Sequence, residues 1–193
     1  MGRIIGGGIV GAIVVFIWGV LAWPVLHLYD FAINELPDEA MIVEAWENAD
    51  LETGAYYVPG MSHDDDMTDE QRAHAVEDWA ERHRAGPIGL MHYRADGRDP
   101  MHWSRMAMGF GFGFVASALL ATLMVGLGLR SFVKRFGLAF AAGLFAVLAS
   151  ELPTWNWFYL SDAYALARSI DVIAAWTLGG LAIAAIARPR PAA

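Results

Sequence analysis

Few residues in this chain carry chemistry, and they are scattered. His63-Asp64-Asp65-Asp66 sets three consecutive carboxylates beside an imidazole, a donor set suited to a hard divalent cation such as Ca²⁺. The run lacks the glycine and alternate spacing of an EF-hand loop. Its plainer reading is a solvated acidic turn ahead of a helix, where carboxylates favour the positive end of the dipole. His74 and Asp78 stand four apart and could form half a metal site. His74 and His83, nine apart, fall on opposite faces of a helix and cannot share one ion. His27 closes the first apolar run and could serve as an axial ligand to a haem or pigment. No second apolar run supplies the histidine that a bis-histidine haem needs. Glu151, Arg168 and Asp171 read as an interfacial charge cluster tying two helices together. No metalloprotease, nucleophile-elbow, phosphate-loop or dinucleotide pattern occurs, so no catalytic residue, no enzyme activity and no cofactor are expected.

The elements that position these residues follow from composition. Hydrophobic residues make up 56% of the 193, mean hydropathy is positive, and cysteine is absent. The lack of cysteine excludes disulfides, thiolate metal sites and cysteine nucleophiles. Charge is unevenly divided: residues 30–104 hold 18 of the 21 acids and only 5 of the 13 bases. Such an acidic block does not bind nucleic acid, which needs clustered Lys and Arg.

Four apolar runs are long enough to span a bilayer: Ile4–Tyr29, Met106–Leu129, Phe136 to about Leu152, and Ile170–Ala187. The first covers roughly 39 Å as a helix, more than the roughly 30 Å of a hydrocarbon core. Its length argues for a retained anchor over a cleaved signal peptide, with Pro24 bending its outer end. Gly7 with Gly11, and Gly109 with Gly113, form G-x-x-x-G pairs that let helix backbones approach closely. Arg3, Arg130, Lys134, Arg135, Arg188 and Arg190 fall on one side after four crossings, which the positive-inside rule makes cytoplasmic. Glu151, Arg168 and Asp171 then lie at the outer ends of the spans, and no ionisable group is expected near mid-bilayer. That disfavours a proton relay.

The fold expected is an α-helical integral membrane protein with four transmembrane helices and a small α+β periplasmic insertion between helices 1 and 2. The domains are 1–29 for the first helix, 30–104 for the insertion and 105–193 for helices 2–4. Within the insertion, Pro37–Asn48 reads as a helix and Gly54–Pro59 as a strand. Thr68-Asp-Glu-Gln71 reads as a capping box starting a helix to about Arg84, with Ala73, Val76, Trp79 and Ala80 inward. Pro87–Asp96 reads as a second strand. So small a domain has a marginal core and is expected to lean on the membrane helices or a partner.

Several phrases taken together carry a resemblance. They are Phe16-Ile-Trp-Gly19 with Trp23, Asp38-Glu39, Gly54-Ala-Tyr-Tyr-Val-Pro59, Gly86-Pro87, Gly97-Arg-Asp-Pro-Met101 and Pro153-Thr-Trp-Asn-Trp157. With them the chain resembles a group of uncharacterised bacterial inner-membrane proteins having one N-terminal span, a periplasmic α/β insertion and three further spans. The resemblance implies that topology and supplies no activity. The function expected is a non-catalytic accessory or scaffolding subunit of a larger inner-membrane assembly, such as a photosynthetic or respiratory complex. Its partners would be the lipid bilayer and other membrane subunits. The alternative is a small transporter, or a periplasmic metal sensor using His63 to Asp66.

Overall fold

The computed structural model of the chain describes residues 1–61, 64 and 66–189. The structure is mostly helical, with one small sheet, and divides into two compact units. The first comprises Met1–Asn34, Asp99–Pro153 and the chain from Ser161 onward; the second comprises Glu35–Arg98 and Thr154–Leu160.

Four helices of the chain are long and apolar enough to cross a membrane: Gly2–Ala22, Trp103–Gly126, Phe132–Phe158 and Asp162–Ile186. In chain order the elements are α1 (Gly2–Ala22), α2 (Glu39–Asn48), β1 (Gly54–Val58), α3 (Asp69–Ala85), β2 (Gly89–Tyr93), α4 (Trp103–Gly126) and α5 (Phe132–Ala146). A π turn at Val147–Glu151, then α6 (Leu152–Phe158) and α7 (Asp162–Ile186), complete the chain.

Three helix ends differ most from the sequence expectation, each for a local reason. Helix α1 stops at Ala22, short of Tyr29, because Pro24 has no N–H to continue the ladder. The chain then coils through turns, with the amide of Leu28 donating to the Ala22 carbonyl at 2.9 Å. Helix α7 starts at Asp162 instead of Ile170. The Ser161 hydroxyl accepts from the Tyr164 amide at 3.2 Å and caps an earlier first turn. The third long helix runs on from α5 past Leu152 through the π turn. Pro153 cannot donate an α-type bond, and the helix widens one turn before it, with the Leu152 amide reaching back to Val147.

In the helical unit α1 runs antiparallel to α4 and to α7, and α5 runs antiparallel to α7. The seams are made of small residues. Gly7, Gly8, Gly11 and Ala12 of α1 are buried, as are Ser117 and Ala121 of α4 and Gly179, Gly180 and Ala184 of α7. A Cβ added at Gly11 would stand 2.6 Å from both Ile183 and Ser117, so this crossing needs glycine. Gly7 lies against Ala121, and Gly113 against Ala12. Gly109 is different. Among the described residues nothing comes within 4 Å of its added Cβ, so the close approach on α4 is made by Gly113 and Ser117. Larger apolar side chains point outward, as in the exposed α1 stripe Ile5, Ile9, Ile13, Ile17. An apolar surface around a small-residue core is the inverse of a water-soluble bundle.

The second unit holds the sheet. Strands β1 and β2 pair antiparallel, with Tyr56 opposite Met91. Helix α3 opens with the expected capping box: the Gln71 amide donates to the Thr68 hydroxyl at 3.3 Å, and the Thr68 amide to the Gln71 side chain at 2.9 Å. Its inward face is set by the Trp79 indole, which donates to the Pro59 carbonyl at 3.0 Å. That rotates Ala75, Trp79, Ala80 and His83 toward the unit and leaves Ala73 and Val76 exposed, contrary to expectation. On α2, Ile42 and Trp46 are half-buried, whereas Met41 and Ala45 face out. Trp46 meets Tyr93 of β2 edge to face at 5.8 Å. Tyr159 packs on His83 at 5.0 Å and on Tyr57 at 6.2 Å, joining the short segment 154–160 to the rest. Burial, then the hydrogen bond to Tyr159, raises the Tyr57 phenol above its usual pKa.

Candidate functional site

The helical unit contains a polar network built on α7. Asp171 is half-buried, and its two carboxylate oxygens are each taken by a neutral donor. The Trp18 indole N–H donates to Oδ1 at 2.7 Å, and the Tyr29 hydroxyl donates to Oδ2 at 2.7 Å. One turn earlier, Arg168 grips Glu151 in a fork: Nε to Oε2 at 3.1 Å and Nη2 to Oε1 at 2.8 Å. Arg168 also lies beside the Tyr29 hydroxyl, so that the phenol joins the ion pair to the Asp171 side of the network.

Tyr29 is the hinge of this arrangement and is only 3% exposed. The turns after Ala22 fold the chain back, so that the Tyr29 ring stacks on Trp23 at 4.3 Å and meets Tyr164 at 6.2 Å. The network therefore draws on α1, the connection after it, the π turn and α7. Counted formally, its three charged residues sum to one negative charge, because Arg168 balances only one of two carboxylates. What it does chemically is hold: each oxygen of Asp171 and Glu151 already accepts a bond, and the donors come from three separate stretches of chain.

Glu151 and Arg168 are brought together as expected, and Asp171 joins them through Tyr29. Their position along α7 differs from the expectation. Since α7 begins at Asp162, Arg168 lies about 9 Å and Asp171 about 14 Å along the helix from its first residue. Both are helix-interior positions, where the sequence had placed them at the span's outer edge. Trp18 and Tyr29 were not among the candidate residues. Nothing in their spacing marks them as partners of a residue some 150 positions away.

A second buried charge escaped the sequence reading. Arg135 is 2% exposed and faces no carboxylate among the described residues. Its guanidinium instead donates to the carbonyls of Ala184 at 2.7 Å, Leu129 at 2.9 Å and Arg130 at 2.6 Å. Ala184 belongs to the last turn of α7, whose carbonyls lack intrahelical partners and form the negative end of the dipole. Arg135 is thus a cap for α7 and for the α4–α5 connection.

The remaining candidates lie apart from these clusters. His27 has a positive φ of 51°, and its exposed ring is paired with Asp30 at 3.0 Å. His63 and Asp65 fall outside the described residues. Of their neighbours, Asp64 accepts from the Asp66 amide at 3.1 Å, a local turn contact. Asp78 pairs with Arg82 at 3.0 Å. Among the described residues no group of three or more His, Asp or Glu is arranged to hold a metal ion. No protein-family model, no curated protein and no solved structure matches the chain.

Proposed function

We propose that this chain is an integral membrane protein acting as a non-catalytic accessory subunit of a larger assembly, with its second unit as the docking element. In this reading the membrane is the bacterial inner membrane, both termini are cytoplasmic, and the acidic unit faces the periplasm. The basic residues Arg3, Arg130, Lys134, Arg135 and Arg188 gather where α1 and α5 begin and α4 and α7 end, which supports that orientation.

One observation carries the docking role. In the second unit only Pro59 is buried among the described residues, while large apolar side chains stand in the open. Trp157 is 70% exposed, Met41 64% and Val76 46%. A unit of this size with so little interior is stabilised by what covers it, and aromatic and methionine side chains are enriched where proteins dock. Extraction from the native membrane in a mild detergent tests the reading. The wild-type chain is expected to elute in a defined complex, and Trp157→Ser with Met41→Ser to release it as a folded monomer. A wild-type chain that elutes alone, with no stoichiometric partner, overturns it.

A second reading has one observation in its favour. A layer about 30 Å thick centred on α7 would bury Asp171 about 10 Å below its outer boundary, and charges at such depth mark transport pathways. The two satisfied oxygens of Asp171 favour the structural role.

A further inference from the structure

The basic end of the helical unit is a cleft as well as a charged face. It has a volume of about 560 Å³ and lies between the start of α1 and the end of α7, lined by Arg3, Ile4, Val125, Arg188 and Pro189 among others. Arg3 Nη1 donates to the carbonyls of Arg188 at 2.9 Å and Pro189 at 3.0 Å, and Arg188 Nε donates to Ala185 at 3.1 Å. These bonds hold two guanidinium groups at the rim. Among the described residues they are the only bonds that either side chain makes, so most of the fork donors remain for a ligand.

Among the described residues no Asp or Glu side chain competes. Residues 1–29, 100–150 and 172–193 contain no Asp or Glu, and the acids of the helical unit lie toward its opposite end. Two forked cations without acidic partners match the geometry of a phosphate group, which guanidinium binds through paired hydrogen bonds. The apolar walls supplied by Ile4, Val125 and Pro189 fit the first carbons of an acyl chain. A free phosphate would gain nothing from those walls.

We propose that this cleft binds the phosphate of an anionic membrane lipid, with Arg3 and Arg188 on the phosphate and Ile4 and Val125 against the lipid's apolar part. The inference rests on the membrane reading given above and assigns a ligand to a site which that reading left empty of function. It also separates these two arginines from their neighbours. Arg135 is spent on carbonyls, and Arg130 and Lys134 are exposed but do not line the cleft.

Native mass spectrometry of the full chain in detergent, titrated with phosphatidylglycerol or phosphatidylcholine, tests it. Phosphatidylglycerol is expected to be retained in preference, at one per chain. Losing two charge-assisted contacts to the phosphate should weaken this about 30-fold in R3Q/R188Q. R130Q/K134Q removes as much charge from the same end but none of those contacts, and screening should hold its effect below about threefold. Equal losses in the two double variants would show diffuse attraction and overturn the site. So would equal retention of the two lipids by the wild type, a comparison that needs no variant to fold. Displacement of the lipid by an equal concentration of inorganic phosphate would reassign the site to free phosphate. Reconstitution into vesicles of either lipid separates the two readings. A chain that enters neither fails the membrane reading, and one that enters both without preference fails only this proposal.

Discussion

Asp171 holds two donors that have no other use. Removing its charge leaves the Trp18 indole and the Tyr29 hydroxyl facing a weaker acceptor, and in Asp171→Asn one of them meets an amide N–H₂. The expected cost is about 2 kcal/mol, from losing charge-assisted bonds in a half-buried site. Chemical denaturation of the detergent-solubilised chain measures it, and Tyr29→Phe should lose about half as much. The Arg168–Glu151 pair makes a sharper test. Arg168→Gln strands the Glu151 carboxylate, so the single variant should lose about 3 kcal/mol, and Glu151→Gln added to it should restore part of that loss. If the double variant is as unstable as the sum of the singles, the two side chains are not coupled. Arg135 obeys the same logic with the signs of the partners reversed. Its neighbours are carbonyl oxygens, and a side chain without donors at that position would leave three of them unpaired.

Elements were legible where pattern and caps agreed, and misread where polar residues began or ended an apolar run. The capping box at Thr68 named its own helix, and β1 was readable from Gly54-Ala-Tyr-Tyr-Val ahead of Pro59. Helix α7 was misplaced because Asp162, Arg168 and Asp171 look like the polar flank of a span. Within the helix Arg168 is paired with Glu151 and Asp171 is held by Trp18 and Tyr29, partners that apolar patterning does not reveal. On α3 Trp79 and Ala80 face inward as read, but Ala75 and His83 take the places expected for Ala73 and Val76, since the Trp79–Pro59 bond fixes the rotation and apolar spacing alone does not. Glycine spacing had the same limit: a G-x-x-x-G pair gives a possible seam without saying which residues another helix meets. The structure makes that distinction testable. Gly11→Val should cost about 1–3 kcal/mol by forcing α1 off Ile183 and Ser117. Gly109→Ala should be neutral or stabilising by up to about 1 kcal/mol, as open space meets better helix propensity. Thermal denaturation of both variants in one detergent settles the contrast.

At the scale of the molecule, the number and direction of the crossings can be measured with the chain's own chemistry, because it has no cysteine to mask. Single cysteines introduced at Thr53 and at Ser131 should behave oppositely toward a membrane-impermeant maleimide. Thr53→Cys is expected to label in intact spheroplasts, and Ser131→Cys only after permeabilisation. Labelling of both from one side would overturn the four-crossing topology. The second unit adds a matter of timing. It is assembled from two stretches, 35–98 and 154–160, with more than fifty residues of other structure between them. During translation the first stretch leaves the ribosome well before Tyr159 exists, so His83 and Tyr57 are made without the ring that later packs on both. For that interval the unit is an open clamp. Its closure waits on synthesis of the third long helix, and a nascent chain halted before Tyr159 would present that half-built surface to chaperones and proteases.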